Sequence, residues 1–479
     1  MDPTFLPATQ LADLVRRRQL GSLELLDHYI ARVERLDPRI NAVVVRNFEP
    51  ARKRARALDQ SADRSAPLFG VPMTVKESYD VAGLPTTWGV SGFRDHTATN
   101  TALVVQRLID AGAVVFGKTN VPVLLADYQS YNPIYGTTNN PWNVSLSPGG
   151  SSGGGAAALA AGFCGLEAGS DIAGSLRNPA HYCGVFSHKP TWGICPPLGH
   201  SLAGAVSRAD INVVGPMARS ATDLAVSLEV MAGAEPIEAG WKLDLPAPRI
   251  SELKGLRVAM MKDHPSSEVD TSITEAIDAL AGFLRRAGAT VSLDARPDFD
   301  LALGNRLFIE MLRATTSTRT DNAALARWRD EAARLADDDT SYYGMMARGV
   351  SMSHRDFLVG NETREKMRRL WSQFFDDWDV FLCPAAASPA QKHDHQGERW
   401  QRTIEVNGHN VPATDQMFWA GIAGFYLLPA TIAPLAVTPT GLPIGVQIIG
   451  PQYGDRMTIA LAALLEKEWR RFSPPPGWM

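Results

Sequence analysis

The sequence predicts an α/β fold, a sheet with helices on both faces. Three observations point to it. Short apolar runs alternate with helical stretches along most of the chain. The runs are continuous rather than every-other-residue, as in strands buried on both faces. The composition, 45% hydrophobic and 20% charged, is an ordinary globular balance that excludes disordered and fibrous classes.

The elements follow in order. Leu23, Leu26, Ile30 and Val33 recur at spacings of three and four and make one apolar stripe, which predicts a helix within the first forty residues. Arg32, Glu34 and Arg35 take its other faces. Strands are expected at the apolar runs 71–75, 113–116, 256–261, 290–293 and 444–449, and helices at 101–110 and 271–286. Between about 298 and 375 strand signals vanish and charged, Met-rich helical sequence takes over. The expectation is one domain over 1–479, with 298–411 a largely helical insertion that shapes the substrate pocket. Its length of 479 residues allows roughly three domains at about 150 residues each, but no sharp composition break divides it.

The charge sum is 47 − 51 = −4, so no basic face invites nucleic acid or anionic lipid. A small, roughly neutral molecule is the expected partner. Four scattered cysteines, none in a C-x-x-C pair, read as buried thiols of a cytoplasmic protein. The N-terminus lacks the basic and apolar blocks of an export signal. Residues 418–438 are 21 uncharged positions, long enough to span a membrane. Pro429 and Pro434 interrupt them, and the segment is read as buried core.

Several motif matches fail on context. The segment 112–119 fits G-x-x-x-x-G-K-T, but its middle residues read as a strand rather than a phosphate loop, and Pro122 follows where a helix should grow. Ser251-Glu-Leu-Lys254 fits S-x-x-K without its companion motifs. Gly150-Ser-Ser152-Gly-Gly154 fits the G-x-S-x-G elbow, yet a loop precedes it where a strand is required. A Ser-His-Asp hydrolase with Ser152 as nucleophile stays open as a minor alternative. His393-Asp-His395 has no third metal ligand and reads as a solvated loop.

Three polar islands remain. Residues 147–162 form a Ser/Gly/Ala run without charge, open to close helix packing but carrying a serine pair at its mouth. A small-residue turn at 169–175 ends in Ser175. Lys76 terminates the run 70–75, either as a surface lysine that has reached water or as a desolvated base.

Together these segments resemble the amidase signature family of serine hydrolases, over 70–89, 132–193 and 442–466. The resemblance implies a large mixed central sheet, no metal or cofactor, and a triad of Ser175 as nucleophile, Ser151 as the serine after a cis peptide bond, and Lys76 as base. It implies an oxyanion site from the backbone N–H groups of Ile172, Ala173, Gly174 and Ser175. Asp171 and Arg177 are expected to fix that turn. Members usually carry glycine where Ala173 stands, so a positive φ there would strain the loop.

The implied activity is hydrolysis of small neutral amides through an acyl-enzyme, with esters and carbamates as further substrates. Similar bacterial members include aryl acylamidases and urethanases. Substrate contacts are expected from 124–131, in particular Ala126, Tyr128 and Gln129, together with Gly150, and from 342–346 and Met417-Phe-Trp419. The alternative is the glutaminase subunit of a tRNA-dependent amidotransferase, although residues 175–183 resemble the free-standing amidases more closely. No membrane or nucleic-acid partner is expected, and a homodimer is compatible with the sequence.

Overall fold

The computed structural model describes residues 2–336 and 338–478. Its centre is an 11-stranded sheet. From one edge the strands run Val43–Arg46, Val114–Thr119, Pro72–Lys76, Leu166–Asp171, Val213–Ala218 and Phe186–Lys189. They continue Ala430–Val437, Pro443–Ile449, Val380–Pro384, Arg257–Met260 and Thr290–Ser292. The sheet is mixed: Pro72–Lys76 lies parallel to both its neighbours, whereas Leu166–Asp171 and Val213–Ala218 are antiparallel. Every residue of Pro72–Lys76, Val114–Thr119, Leu166–Asp171 and Pro443–Ile449 is buried, which accounts for the continuous apolar runs in all of these strands except Leu166–Asp171.

The five runs read as strands are strands, and the helix expected at 271–286 spans Thr271–Arg286. The uncharged segment 418–438 divides into a buried helix, Met417–Gly424, and the strand Ala430–Val437. Pro434 sits where the register with Pro443–Ile449 shifts, a place where a missing N–H is tolerated. No helix is long and apolar enough to cross a membrane among the described residues.

Two expectations change. Residues 298–411 are helical as far as Asp377, through Leu301–Thr316, Asn322–Arg334, Tyr342–Val350 and His354–Asp377. The chain then re-enters the sheet as Val380–Pro384, paired to Arg257–Met260 and Pro443–Ile449, because five fully buried residues in that slot complete the ladder. Arg32 is buried rather than outward-facing, its Nε donating to Ala161 O at 3.0 Å and its guanidinium lying over the Phe5 ring. The 112–119 segment is a strand, and Lys118 Nζ is buried against Thr86 Oγ1 at 3.0 Å.

This topology brings three segments together. Pro72–Lys76 and Leu166–Asp171 are parallel neighbours, so their C-terminal residues, Lys76 and Asp171, emerge at the same edge. Ser151 and Ser152 precede the helix Gly153–Ala160, which packs tightly onto the sheet. A Cβ at Gly154 would fall 2.4 Å from Asn120 N, and one at Gly155 2.6 Å from Glu167 Cγ, so only glycine permits this approach.

Candidate active site

Lys76 is fully buried, with Nζ 2.7 Å from Ser151 Oγ and 3.0 Å from Ser170 Oγ. Burial brings its pKa down to about 7, although the carboxyl groups of Asp171 and Glu167 pull the other way. Glu167 is itself pushed up to about 8 by burial, and its carboxyl is bonded to the hydroxyls of Thr74 and Thr119. Burial thus outweighs the neighbouring carboxyls and holds the lysine well below its ordinary value.

The Gly150–Ser151 peptide bond is cis. Gly150 is wedged against the backbone of 127–129: a Cβ there would meet Asp127 O at 2.3 Å and Gln129 N at 2.8 Å. Its own N–H donates to Asn178 Oδ1. Ser175 is near Ser151 at the cavity wall, and its carbonyl accepts from Ser152 N at 3.1 Å. Ser175 Oγ makes no hydrogen bond among the described residues, so the second link of a serine relay is open.

The turn before Ser175 is clamped. Asp171 Oδ1 accepts from Gly174 N at 2.7 Å, while Oδ2 accepts from Leu176 N and Arg177 Nε. Arg177 also donates to Ala420 O and Gln447 Oε1, each at 2.7 Å. Burial opposes the charge on Asp171, but the Arg177 charge and these hydrogen bonds outweigh it and hold the carboxyl at about 2. The Tyr128 hydroxyl donates to Ala173 O. The carbonyl and N–H of the Ala173–Gly174 peptide are thus both held.

Of the four N–H groups expected to face an oxyanion, one is already bonded. Gly174 N–H is committed to Asp171, leaving the N–H groups of Ile172, Ala173 and Ser175 without a partner among the described residues. The left-handed backbone falls on Gly174, at φ 104°, and Ala173 is not among the positive-φ residues, so alanine fits without strain.

Ser152 is fully buried and bonded to the backbone of Ser170 on both sides, with O at 3.3 Å and N at 3.4 Å. No histidine bonds to Ser151, Ser152 or Ser175 among the described residues. His181 faces the backbone of Gly445 and Ser388, His188 pairs with Asp455, and His200 bonds Ser78 Oγ. A Ser-His-Asp arrangement on Ser152 has no geometric counterpart.

A cavity of about 1660 Å³ opens onto Ser151, Ser170, Ile172, Ala173 and Ser175. Of the stretch 124–131, residues 124–129 line it and Ser130 and Tyr131 do not; Tyr342 and Met417 line it too. Gln129 lines it but uses its amide to pin the backbone of Asp394. Phe418, Trp419, Met345 and Met346 are core residues instead: Phe418 stacks on His264, and the Trp419 indole donates to Ser267 Oγ. His393 lines the wall, and His395 stacks on Tyr131 at 3.7 Å, so this loop is not a solvated one. No group of three or more potential metal ligands gathers among the described residues.

Ser170 and the five cavity arginines escaped the sequence reading. Ser170 stands in a motif whose other serine drew the attention. The arginines, Arg208, Arg313, Arg319, Arg399 and Arg402, are scattered over nearly two hundred residues and converge only in the fold. They place basic side chains on a cavity for which only neutral substrates were expected.

The model of the family described as Amidase matches residues 24–459. Indoleacetamide hydrolase of Bradyrhizobium diazoefficiens is 32% identical over 470 residues, covering 96% of this chain and 86% of that protein. A glutamyl-tRNA(Gln) amidotransferase subunit of Psychrobacter cryohalolentis is 30% identical, covering 97% and 96%. A bacterial aryl acylamidase has the same fold, with a TM-score of 0.83 at 23% identity, over 99% of both chains. With a mixed 11-stranded sheet, a serine-glycine segment lying against a buried lysine, and a family match across most of its length, this chain belongs to the amidase family of amide-hydrolysing enzymes.

Proposed function

We propose that the protein hydrolyses the C–N bond of small amides through an acyl-enzyme on Ser175, with Ser151 as relay and Lys76 as base. The observation that carries this reading is the fully buried Lys76 Nζ, 2.7 Å from Ser151 Oγ. Ser175 Oγ attacks the carbonyl carbon as its proton passes to Ser151, and the Ser151 proton passes to neutral Lys76. The tetrahedral oxyanion faces the N–H groups of Ile172, Ala173 and Ser175, each worth about 3 to 4 kcal/mol by analogy with other hydrolases. Reversal of the relay delivers a proton to the departing amine. Water, activated by the same lysine, then releases the acid from Ser175. Rotation of the Ser175 hydroxyl toward Ser151 on substrate binding closes the missing link, as catalytic hydrogen bonds often tighten only in the complex.

Esters and carbamates meet the same tetrahedral chemistry and belong to the expected range, aryl amides and urethanes included. Ala126 and Tyr128 supply contacts on the substrate side. Action in the cytoplasm, without a cofactor, is part of the same reading. The test is a hydrolysis screen over anilides, aliphatic amides, esters and aryl carbamates, followed by mass spectrometry of the trapped protein. An acyl adduct on a peptide containing Ser175 is expected; an adduct elsewhere overturns the assignment.

A glutaminase role within an amidotransferase is the second reading, favoured by the likeness to the Psychrobacter protein. Glutamine hydrolysis that appears only with a co-purifying partner protein would favour it over a free-standing amidase.

A further inference from the structure

Five arginines line the cavity, and carboxylates pair with two of them. Arg208 pairs with Glu235 and Glu238, and Arg402 with Asp127 at 2.7 Å. Arg319 lies exposed over the Trp88 ring and donates to Leu124 O. Arg313, on the helix Leu301–Thr316, and Arg399, at the start of the short helix Arg399–Gln401, are different. Both are half-buried, and neither has a carboxylate within ion-pair distance among the described residues.

Arg313 donates through Nη2 to the Tyr342 hydroxyl, but its Nε is shut off from solvent and has no acceptor. Arg399 makes no side-chain hydrogen bond among the described residues. Burial, and for Arg313 also the neighbouring charge of Arg399, works against the charged form, while Asp127 and Glu398 favour it at Arg399 without reaching ion-pair distance. Guanidinium nevertheless stays protonated at any accessible pH. The nearby carboxylates are engaged: Asp127 by Arg402, Asp210 by Arg364, and Asp394 by Gln396 N. The hydroxyls of Thr315 and Thr414, which also line the cavity, are without partners.

A half-buried guanidinium without an anion is costly, and two facing one cavity leave a place for negative charge. We propose that Arg313 and Arg399 form an anion subsite that receives a carboxylate of the substrate, so that the preferred substrates are amides bearing a carboxylate rather than neutral amides. The inference rests on the hydrolase reading for the position of the scissile bond, but not for the binding of the carboxylate. Planar guanidinium groups match a carboxylate by paired N–H donors, which accounts for arginine rather than lysine at both positions.

The experiment measures binding and turnover separately. Anilides of succinate, glutarate and adipate, each with one free carboxylate, and the corresponding neutral butyr-, valer- and hexananilides are titrated calorimetrically into Ser175→Ala protein. Their hydrolysis by the wild type is followed in parallel. At least one carboxylate anilide is expected to bind tenfold or more tightly than its neutral counterpart, an advantage that shrinks as salt is raised. Arg399→Gln, in a surface-reaching loop, and Arg313→Gln should each reduce that advantage about tenfold, with Arg313→Lys retaining part of it should the glutamine variant not fold. Equal affinities across all three pairs, or an advantage untouched by Arg399→Gln, would overturn the subsite. Charge-selective binding without hydrolysis by the wild type would remove the hydrolase reading and uphold the subsite.

Discussion

If Lys76 is the base, its ionisation sets the pH profile of acylation. A solvated lysine at the ordinary 10.5 is neutral to only about 3 parts in 10,000 at pH 7; at about 7, half of it is neutral, a gain of about 1,500-fold in competent enzyme. The underlying preference for the uncharged form is about 5 kcal/mol, which complete burial of Nζ supplies against the opposing pull of Asp171 and Glu167. The acylation rate should therefore fall about tenfold per unit below pH 6 and plateau above about pH 8. The assay is stopped-flow acylation by a matched p-nitroanilide and p-nitrophenyl ester between pH 5 and 9. Lys76→Ala should lose most amide turnover and less ester turnover, because a good leaving group needs no returned proton. Lys76→Arg should not restore it, since arginine remains charged. Glu167, pushed up to about 8, is largely protonated along the acid limb, so Glu167→Gln should leave that limb nearly where it is. A flat or acid-optimal profile, or an arginine variant as fast as wild type on amides, would refute Lys76 as base.

Further outcomes follow from the same geometry. Ser175→Ala should abolish acylation with the thermal midpoint nearly unchanged, whereas Ser152→Ala should retain acylation and lose stability, because its hydroxyl is bonded to the Ser170 backbone; the reverse result would revive the elbow serine. Gly150→Ala should cost about 1 to 3 kcal/mol or more in denaturant unfolding, since the new methyl meets backbone atoms of Asp127 and Gln129 rather than a yielding side chain. Asp171→Asn strands the buried Arg177 charge and should cost about 3 to 5 kcal/mol, read by chemical denaturation. Because the Asp171 pKa is lowered on folding, its contribution is present above the ordinary 3.8 and is lost as pH falls toward about 2, so the variant should show a smaller loss of stability over that window. Single replacements of His181, His188 and His200 should leave acyl-enzyme formation in every variant that folds, as measured by mass spectrometry.

The legible parts of the sequence were those where burial and residue type coincide. Residues 71–75 and 444–449 are mostly apolar and buried, so their pattern alone indicates strands. The strand Leu166–Asp171 is as fully buried, yet Glu167, Ser170 and Asp171 are polar, because they reach partners rather than core, and no apolar run marks it. The site divides in the same way. Lys76, Ser151 and Ser175 stand within recognisable local motifs, whereas Arg313 and Arg399 are ordinary arginines until the fold sets them in one wall. Phe418 and Trp419 err in the opposite sense: large aromatic side chains near a pocket edge pack inward whenever the core has room for them.

The Ala173–Gly174 peptide, held at its carbonyl by Tyr128 and at its N–H by Asp171, has a consequence for the timing of free-energy costs. A free turn would have to freeze its dihedrals at every catalytic cycle, losing about 1 to 2 kcal/mol of backbone entropy per residue each time. Here that ordering occurs once, when the chain folds and Arg177 docks under Asp171. If the neighbouring N–H groups receive the oxyanion, their dipoles are aligned before any substrate arrives, so loosening either anchor should appear as a more unfavourable activation entropy rather than as weaker ground-state binding.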